Sequence, residues 1–413
     1  MSSKSSPYRI VEGGVAAPAG FVCSAVPCGI KHAAKLRLDL GLIYSQVPAV
    51  TAAAFTSNKV KAAPVRLCQA HLRSNDIRAI IVNSGNANAC TGPRGIRDAK
   101  AMAQATAAEL DLNPNQVLVG STGIIGLPMP MERITPRIAD LVKGLGRGNN
   151  DAISRAIMTS DTKPKTISIE VPLGSKTIRI GAIAKGAGMI SPSMGTMLCY
   201  ITTDAAVGLA ELKKCVSSCV QTTFNRITID GDTSTNDTVV VMANGKAGNR
   251  SIKSGGPQCE AFHNALEYVM LQMAKAIVGD GERVTKFVEV IVKGAATHMD
   301  ARRVAETVAN SLLVKCSWNG GDANWGRVMH AIGYSRARIR EEQIDIYFDG
   351  HIAARNGIAS ATPVELLRKA VAKKDFTLTI DLNIGSAGYN VYTSDLSQEY
   401  VDFNRSEYAA PVK

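Results

Sequence analysis

A chain of 413 residues, 46% hydrophobic and 20% charged, holds enough apolar material for a large core and for two or three folding units. Its net charge of +12 is dispersed, aromatics make up only 5%, and no basic tail or RNP-like run occurs. No nucleic-acid partner is therefore expected, and the charge reads as a field that draws in anionic small substrates. No uncharged apolar stretch nears the ~18 residues of a membrane helix, no charged segment leads into an apolar run at the start, and nine cysteines at irregular spacing do not make a secreted disulfide framework; a cytoplasmic protein with no membrane partner is expected.

In chain order, residues 78–83 (RAIIVN) read as a buried strand, followed by the small polar loop 84–92 and an Ala-rich helix over 95–110. Residues 116–119 make a second strand that runs into GSTGIIG at 120–126. A hairpin follows: 166–171 alternates with Ile167, Ile169 and Val171 on one face, 173–176 turns, and 177–183 returns with Ile178 and Ile180 inward. Segment 184–205 is rich in small residues and becomes strand-like at Thr196. Helix 209–224 carries Leu212, Val216, Val220 and Phe224 at helical spacing. Cys215 and Cys219 on it could face one metal, but no His or second Cys pair sits at a matching spacing. Buried structural thiols are expected, with no metal and no cofactor.

The acidic, hydroxyl-rich loop 229–237 (IDGDTSTND) precedes strand TVVVMAN, and a long helix over 260–278 ends at Gly279. Beyond DGERVTK the pattern alternates again: a strand, a helix over 300–313, GGDANWGR, strand QIDIYF, a helix from 362 and a strand over 376–385. Thr362 reads as N-cap of that last helix, Pro363 as its first residue and Glu365 as the partner closing a capping box. The chain is thus of the α/β (α+β) class, with a smaller α/β lobe over 285–395.

Thr196 follows Gly195 where a Gly/Pro loop becomes an apolar strand. A kinked bond there would let the threonine hydroxyl attack the preceding carbonyl. Hydrolysis of the resulting ester frees an N-terminal threonine, whose α-amine, with a pKa near ~7.7–8.0, can act as base for its own hydroxyl. A Gly-Thr step is equally a plain turn. Ser121-Thr122-Gly123 after a strand could supply oxyanion donors or simply a turn. Lys185 could meet a substrate carboxylate or lie at the surface, and Glu282 could be a solvated carboxylate in a turn. None of the six histidines forms a triad or metal motif.

Twelve stretches in order change that balance: GGVAAPAGF, KAAPV, VNSGNANACTG, STGIIG, IMTSDTKPK, AKGAGMISPSMGTML, TTDA, IDGDTSTNDT, GDGERVTKF, GGDANWGR, AIGYS and DLSQEYVDFN, spanning residues 12–404. Together they resemble the glutamate N-acetyltransferase / ornithine acetyltransferase family of arginine biosynthesis. The resemblance implies a layered α/β sandwich built from both products of a cut between Gly195 and Thr196, an alpha chain of residues 1–195 and a beta chain of residues 196–413. It implies a heterotetramer of two alpha and two beta chains, and acetyl transfer from N-acetylornithine to glutamate. Some members also accept acetyl-CoA. Residue by residue, Thr196 matches the nucleophile, Thr122 and Gly123 the oxyanion hole, and Thr159, Lys185, Thr196, Glu282 and Asn404 the substrate-binding set.

The chain departs from the family pattern in places. Gly195 stands where alanine is usual, Arg283-Val284 replaces Gly-Ala, Ser160 replaces threonine, and Ala409-Ala410 replaces a hydroxyl residue near the C-terminus, leaving the last substrate-binding position unassigned. Two other readings stay open at this point: a self-processing aminopeptidase or amide hydrolase that passes the acyl group to water, and a basic nucleic-acid-binding scaffold with vestigial loops.

Overall fold

A computed structural model of the chain describes residues 6–31, 37–74, 76–192 and 197–407. Gly195 and Thr196, the expected cut and nucleophile, and Ala409 and Ala410 lie outside the described residues.

One strand organises the main body. Leu40–Phe55 is 16 residues long, and its two halves serve different neighbours. The first half pairs with Phe21–Val26 and Ile77–Asn86; after a register shift between Tyr44 and Ala49, the second half pairs with Thr238–Ala243. Around it the strand order is Arg9–Ile10, Lys165–Leu173, Lys176–Lys185, Leu198–Thr203, Thr238–Ala243, Leu40–Phe55, Ile77–Asn86 and Val117–Ile124, nine strands with Phe21–Val26. The shift folds this sheet onto itself as two packed layers.

Side-chain alternation shows the layering, because successive residues of a strand face opposite ways. Ile80, Val82 and Leu118 from one layer pack against Leu198, Tyr200, Val240 and Met242 from the other. Their neighbours Ala79, Ile81, Val117 and Val119 face away, onto helices Gly92–Glu109 and Ile138–Lys143. On the far side, Cys199, Ile201, Val239 and Val241 meet helices Leu209–Thr222 and Pro257–Val278. The body is therefore a four-layer α/β/β/α sandwich, with strands buried on both faces and correspondingly apolar. Cys215 and Cys219 lie in this core, and burial pushes the Cys215 thiol up to about 12.

The smaller lobe has its own sheet and core. Phe287–Ala295 runs parallel to Asp375–Asp381 and antiparallel to Ala387–Ser394. Asp345–Phe348, His351–Arg355 and Ile358–Ala359 complete six strands. Val288, Val290 and Val292 pack on Val304, Val308 and Trp318 from the covering helices. Phe287 and Tyr392 join the main core instead and anchor the lobe to the body.

Three expectations need correction. The helix expected over 300–313 is two helices, His298–Asn310 and Leu312–Asn319. Ser311 between them is extended, and its hydroxyl accepts from the Val314 amide, so a cap-forming residue starts a new helix where apolar spacing suggested continuation. GGDANWGR opens an unforeseen helix, Trp325–Gly333, whose N-cap Asn324 accepts from the Arg327 amide. The capping box at Thr362 does not form. The helix starts at Val364, with Pro363 at ψ 133 in the cap position. An extended Pro363 cannot be the first helical residue, so Thr362 falls outside the cap position, and its amide donates to the Ser360 hydroxyl in a turn.

Candidate active site

Two parallel strands, Ile77–Asn86 and Val117–Ile124, end together, and their ends carry the STG segment. Ser84 lies opposite Thr122 and Gly85 opposite Gly123, after which Asn86 faces both Thr122 and Ile124, an irregularity that breaks the ladder. Gly123 sits at φ 134, and a Cβ there would run into the backbone of Gly85 and Asn86. Glycine is therefore required at this position. Ser121 is tied on the other face by its hydroxyl to Asn83 Oδ1 at 2.6 Å.

These strand ends open into a cleft of about 270 Å³. It brings together Thr122, Gly123, Thr159, Lys185, Glu282 and Asn404, which lie far apart in sequence. Asp230, Asn236 and Tyr400, which sequence reasoning did not single out, line it as well. A larger groove of about 800 Å³, beside Phe55 and Lys213, contains none of the sequence-chosen residues.

Buried charges form the floor. Lys185 ends strand Lys176–Lys185 with its side chain only 3% exposed, 3.8 Å from Asp161. Asp161 also accepts from Lys165 Nζ at 2.5 Å and from the Gly186 amide at 2.8 Å. Lys165 in turn bridges to Asp280 at 2.5 Å, which also accepts from the Thr162 amide and hydroxyl. Burial alone would raise the Asp161 carboxyl, but Lys185 and Lys165 outweigh it and hold it well below the usual carboxylate range. Lys185 is lowered by burial, which Asp161 only partly offsets.

Glu282 reaches the cleft from the turn after helix Pro257–Val278, its amide bonded to the Ala187 carbonyl at 2.8 Å. Gly188 leaves the space its carboxylate occupies. The C-terminal helix Gln398–Glu407 covers this side. Its Asn404 donates to Glu282 Oε2 at 3.1 Å, and one turn earlier Tyr400 donates to Asp230 Oδ2 at 3.2 Å. Asp230 also accepts the amides of Met189 and Ile190 at 2.6 and 2.9 Å.

Arg283, next to Glu282, sits at φ 57 with its guanidinium 5.0 Å from the Phe403 ring centre. That left-handed backbone suits the glycine usual in the resembled family, so arginine here is strained and partly offset by its stacking. Its neighbour Val284 packs on the main core.

Met197, the residue following Thr196, is held from both sides. Its amide donates to Asp237 Oδ1 at 3.0 Å, and its carbonyl accepts from the Thr238 amide at 3.1 Å. Burial raises the Asp237 carboxyl well above the usual range.

A match to the ArgJ family spans residues 22–410. The chain belongs to the ArgJ family. It is 48% identical over 386 residues to the arginine biosynthesis bifunctional protein ArgJ of Geobacter sulfurreducens, covering 93% of this chain and 98% of that protein. It is 44% identical over 408 residues to the glutamate N-acetyltransferase of Methanocaldococcus jannaschii, covering 96% and 98%. The solved ornithine acetyltransferase of Mycobacterium tuberculosis, complexed with ornithine, is 40% identical and aligns over 46% of this chain and 99% of that one, with a TM-score of 0.41. ArgJ-family membership sets aside the scaffold reading.

Asp161, Lys165, Asp280, Asp230, Asn236, Asp237 and Tyr400 are the residues sequence reasoning passed over. All of them fall inside IMTSDTKPK, GDGERVTKF, IDGDTSTNDT and DLSQEYVDFN, but nothing in those stretches marks which of their residues meet in the cleft.

Proposed function

We propose that this protein is an ornithine acetyltransferase of arginine biosynthesis that moves acetyl from N-acetylornithine to glutamate through an ester on Thr196, after cutting itself between Gly195 and Thr196. The observation that carries the reading is the single cleft lined by Thr122, Gly123, Thr159, Lys185, Glu282 and Asn404; strand Leu198–Thr203 begins two residues after Thr196.

The Thr196 hydroxyl attacks the acetyl carbonyl while its own α-amine takes the proton. The oxyanion is met by Thr122 and the Gly123 amide. The carbon–nitrogen bond breaks, the proton passes to the departing amine, and ornithine leaves an acetyl ester on Thr196. The glutamate amine then attacks that ester, giving N-acetylglutamate and free Thr196. Lys185 counters the α-carboxylate that both substrates share, and Glu282 the side-chain ammonium of ornithine. Acetyl-CoA enters, where it is used, as an alternative donor for the first ester. The processed chains act as two alpha and two beta chains in the cytoplasm.

The test is a denaturing gel with intact mass and N-terminal sequencing of wild type and Thr196→Ala, followed by transfer and hydrolysis assays. Two fragments, the larger beginning Thr-Met-Leu-Cys, and an uncut Thr196→Ala chain are expected, with ornithine release dependent on glutamate. A wild type that stays whole sinks the threonine mechanism. Ornithine and acetate release at full rate without glutamate points to a hydrolase.

A further inference from the structure

The loop between Ile229 and Thr238 supplies one residue to each side of the proposed reaction centre. Asn236 is buried, and its Nδ2 donates to the carbonyls of Ser121 at 2.8 Å and Ala87 at 2.7 Å. Two carbonyl acceptors fix which end of the amide is nitrogen, and the Oδ1 end accepts from the Thr235 hydroxyl at 2.6 Å. The Ser121 carbonyl belongs to the planar peptide that leads into Thr122, so holding it fixes the backbone from which the Thr122 hydroxyl and the Gly123 amide project. Ala87 lies just past the broken ladder, with its amide on the Ile124 carbonyl at 2.9 Å, so the same side chain joins both strands that bear the STG turn. The next residue, Asp237, takes the Met197 amide.

We propose that Asn236, oriented by Thr235, is a positioning residue that registers the Thr122–Gly123 oxyanion site against Met197, which leads into strand Leu198–Thr203. This rests on the oxyanion role of Thr122 and Gly123 proposed above. Neither Asn236 nor Thr235 need touch the substrate; they act by keeping the donors where charge develops. An error of about 1 Å in such placement costs up to roughly 100-fold in rate.

The experiment compares Asn236→Asp, Thr235→Val, Thr235→Ser and Thr122→Ala with wild type, as processed enzyme. It records kcat and KM for both substrates, the dissociation constant for ornithine, and the melting temperature. Asn236→Asp, which turns a donor toward two carbonyls into an acceptor, is expected to lower kcat roughly 100-fold with KM and ornithine affinity within about 2-fold. Thr235→Val lowers kcat about 10-fold at unchanged melting temperature, and Thr235→Ser, which keeps the hydroxyl, recovers most of that loss. Loss confined to KM or ornithine affinity overturns the proposal, as does an unchanged kcat. Should Asn236→Asp fail to fold, the Thr235 pair decides alone. A Thr235→Val chain that stays uncut overturns it in favour of a role at the scissile bond. If Thr122→Ala keeps full kcat, the oxyanion reading itself has failed, whatever the other variants do.

Discussion

Gly123 has no room for a side chain on a backbone few other residues adopt, with the Gly85–Asn86 peptide against it. Gly123→Ala must therefore displace the strand end that carries Thr122. We expect a loss in kcat of about 100-fold or more, the scale of a lost oxyanion donor, measured on processed protein; an alanine variant with wild-type kcat removes Gly123 from the mechanism. STG after a strand could be read from the sequence as donor or turn, and only the family resemblance tipped it. Asn236 was not legible, because its bonds to Ser121 and Ala87 cross 115 and 149 residues of chain. No local spacing encodes a contact of that kind. Thr362 erred the other way: its motif matched locally, but Pro363 took a conformation that starts the helix a residue later.

At the scale of elements, the C-terminal helix is hydrogen-bonded to the cleft by Tyr400 and Asn404, one turn apart, with Phe403 against Arg283 between them. Tyr400→Phe removes only the bond to Asp230. A hydrogen bond worth about 1 kcal/mol predicts an ornithine dissociation constant raised about 5-fold in calorimetric titration, with the melting temperature little changed. Unaltered ornithine binding would mean the helix is held without Tyr400. The segment leading into this helix rests on helix Leu312–Asn319, where buried Lys315 bonds the Thr393 hydroxyl at 2.9 Å and the Ser394 carbonyl. Burial brings this lysine from 10.5 down to about 7, against the opposing pull of Asp395. Between those two values the unfolded chain binds the proton and the folded chain does not, so this group makes stability rise with pH across that window. Lys315→Met should stabilise the fold near pH 7 by on the order of 2 kcal/mol, with the gain shrinking toward pH 10 in urea unfolding. A gain independent of pH would show that Lys315 is not titrating. The strands Phe287–Ala295, Asp345–Phe348 and Asp375–Asp381 and the helix after Pro363 were visible in apolar spacing, whereas the break at Ser311 was not, since the apolar pattern runs straight through it.

Across the whole molecule, the four layers follow from alternation in strands that are apolar on both faces, and the hairpin and long helices were readable for that reason. The double use of Leu40–Phe55 was not, because one run of residues pairs with three strands in two layers. The same pairing bears on how the protein is made. The Ile180–Lys185 part of strand Lys176–Lys185, before the proposed cut, is paired with Leu198–Thr203, after it, and Leu40–Phe55 is paired with Thr238–Ala243. Each fragment alone would expose unpaired strand edges. Folding of the intact precursor is a first-order event within one chain, but once the bond is cut, regaining the same sheet from denaturant becomes a meeting of two molecules. After dilution from urea, Thr196→Ala should regain its fold at a rate independent of protein concentration, while processed wild type slows as it is diluted; equal behaviour would mean one fragment folds without the other. On the proposed cut, the peptide bond before Thr196 serves as a tether needed only once, and its loss would make assembly a memory of synthesis that the mature protein cannot easily repeat.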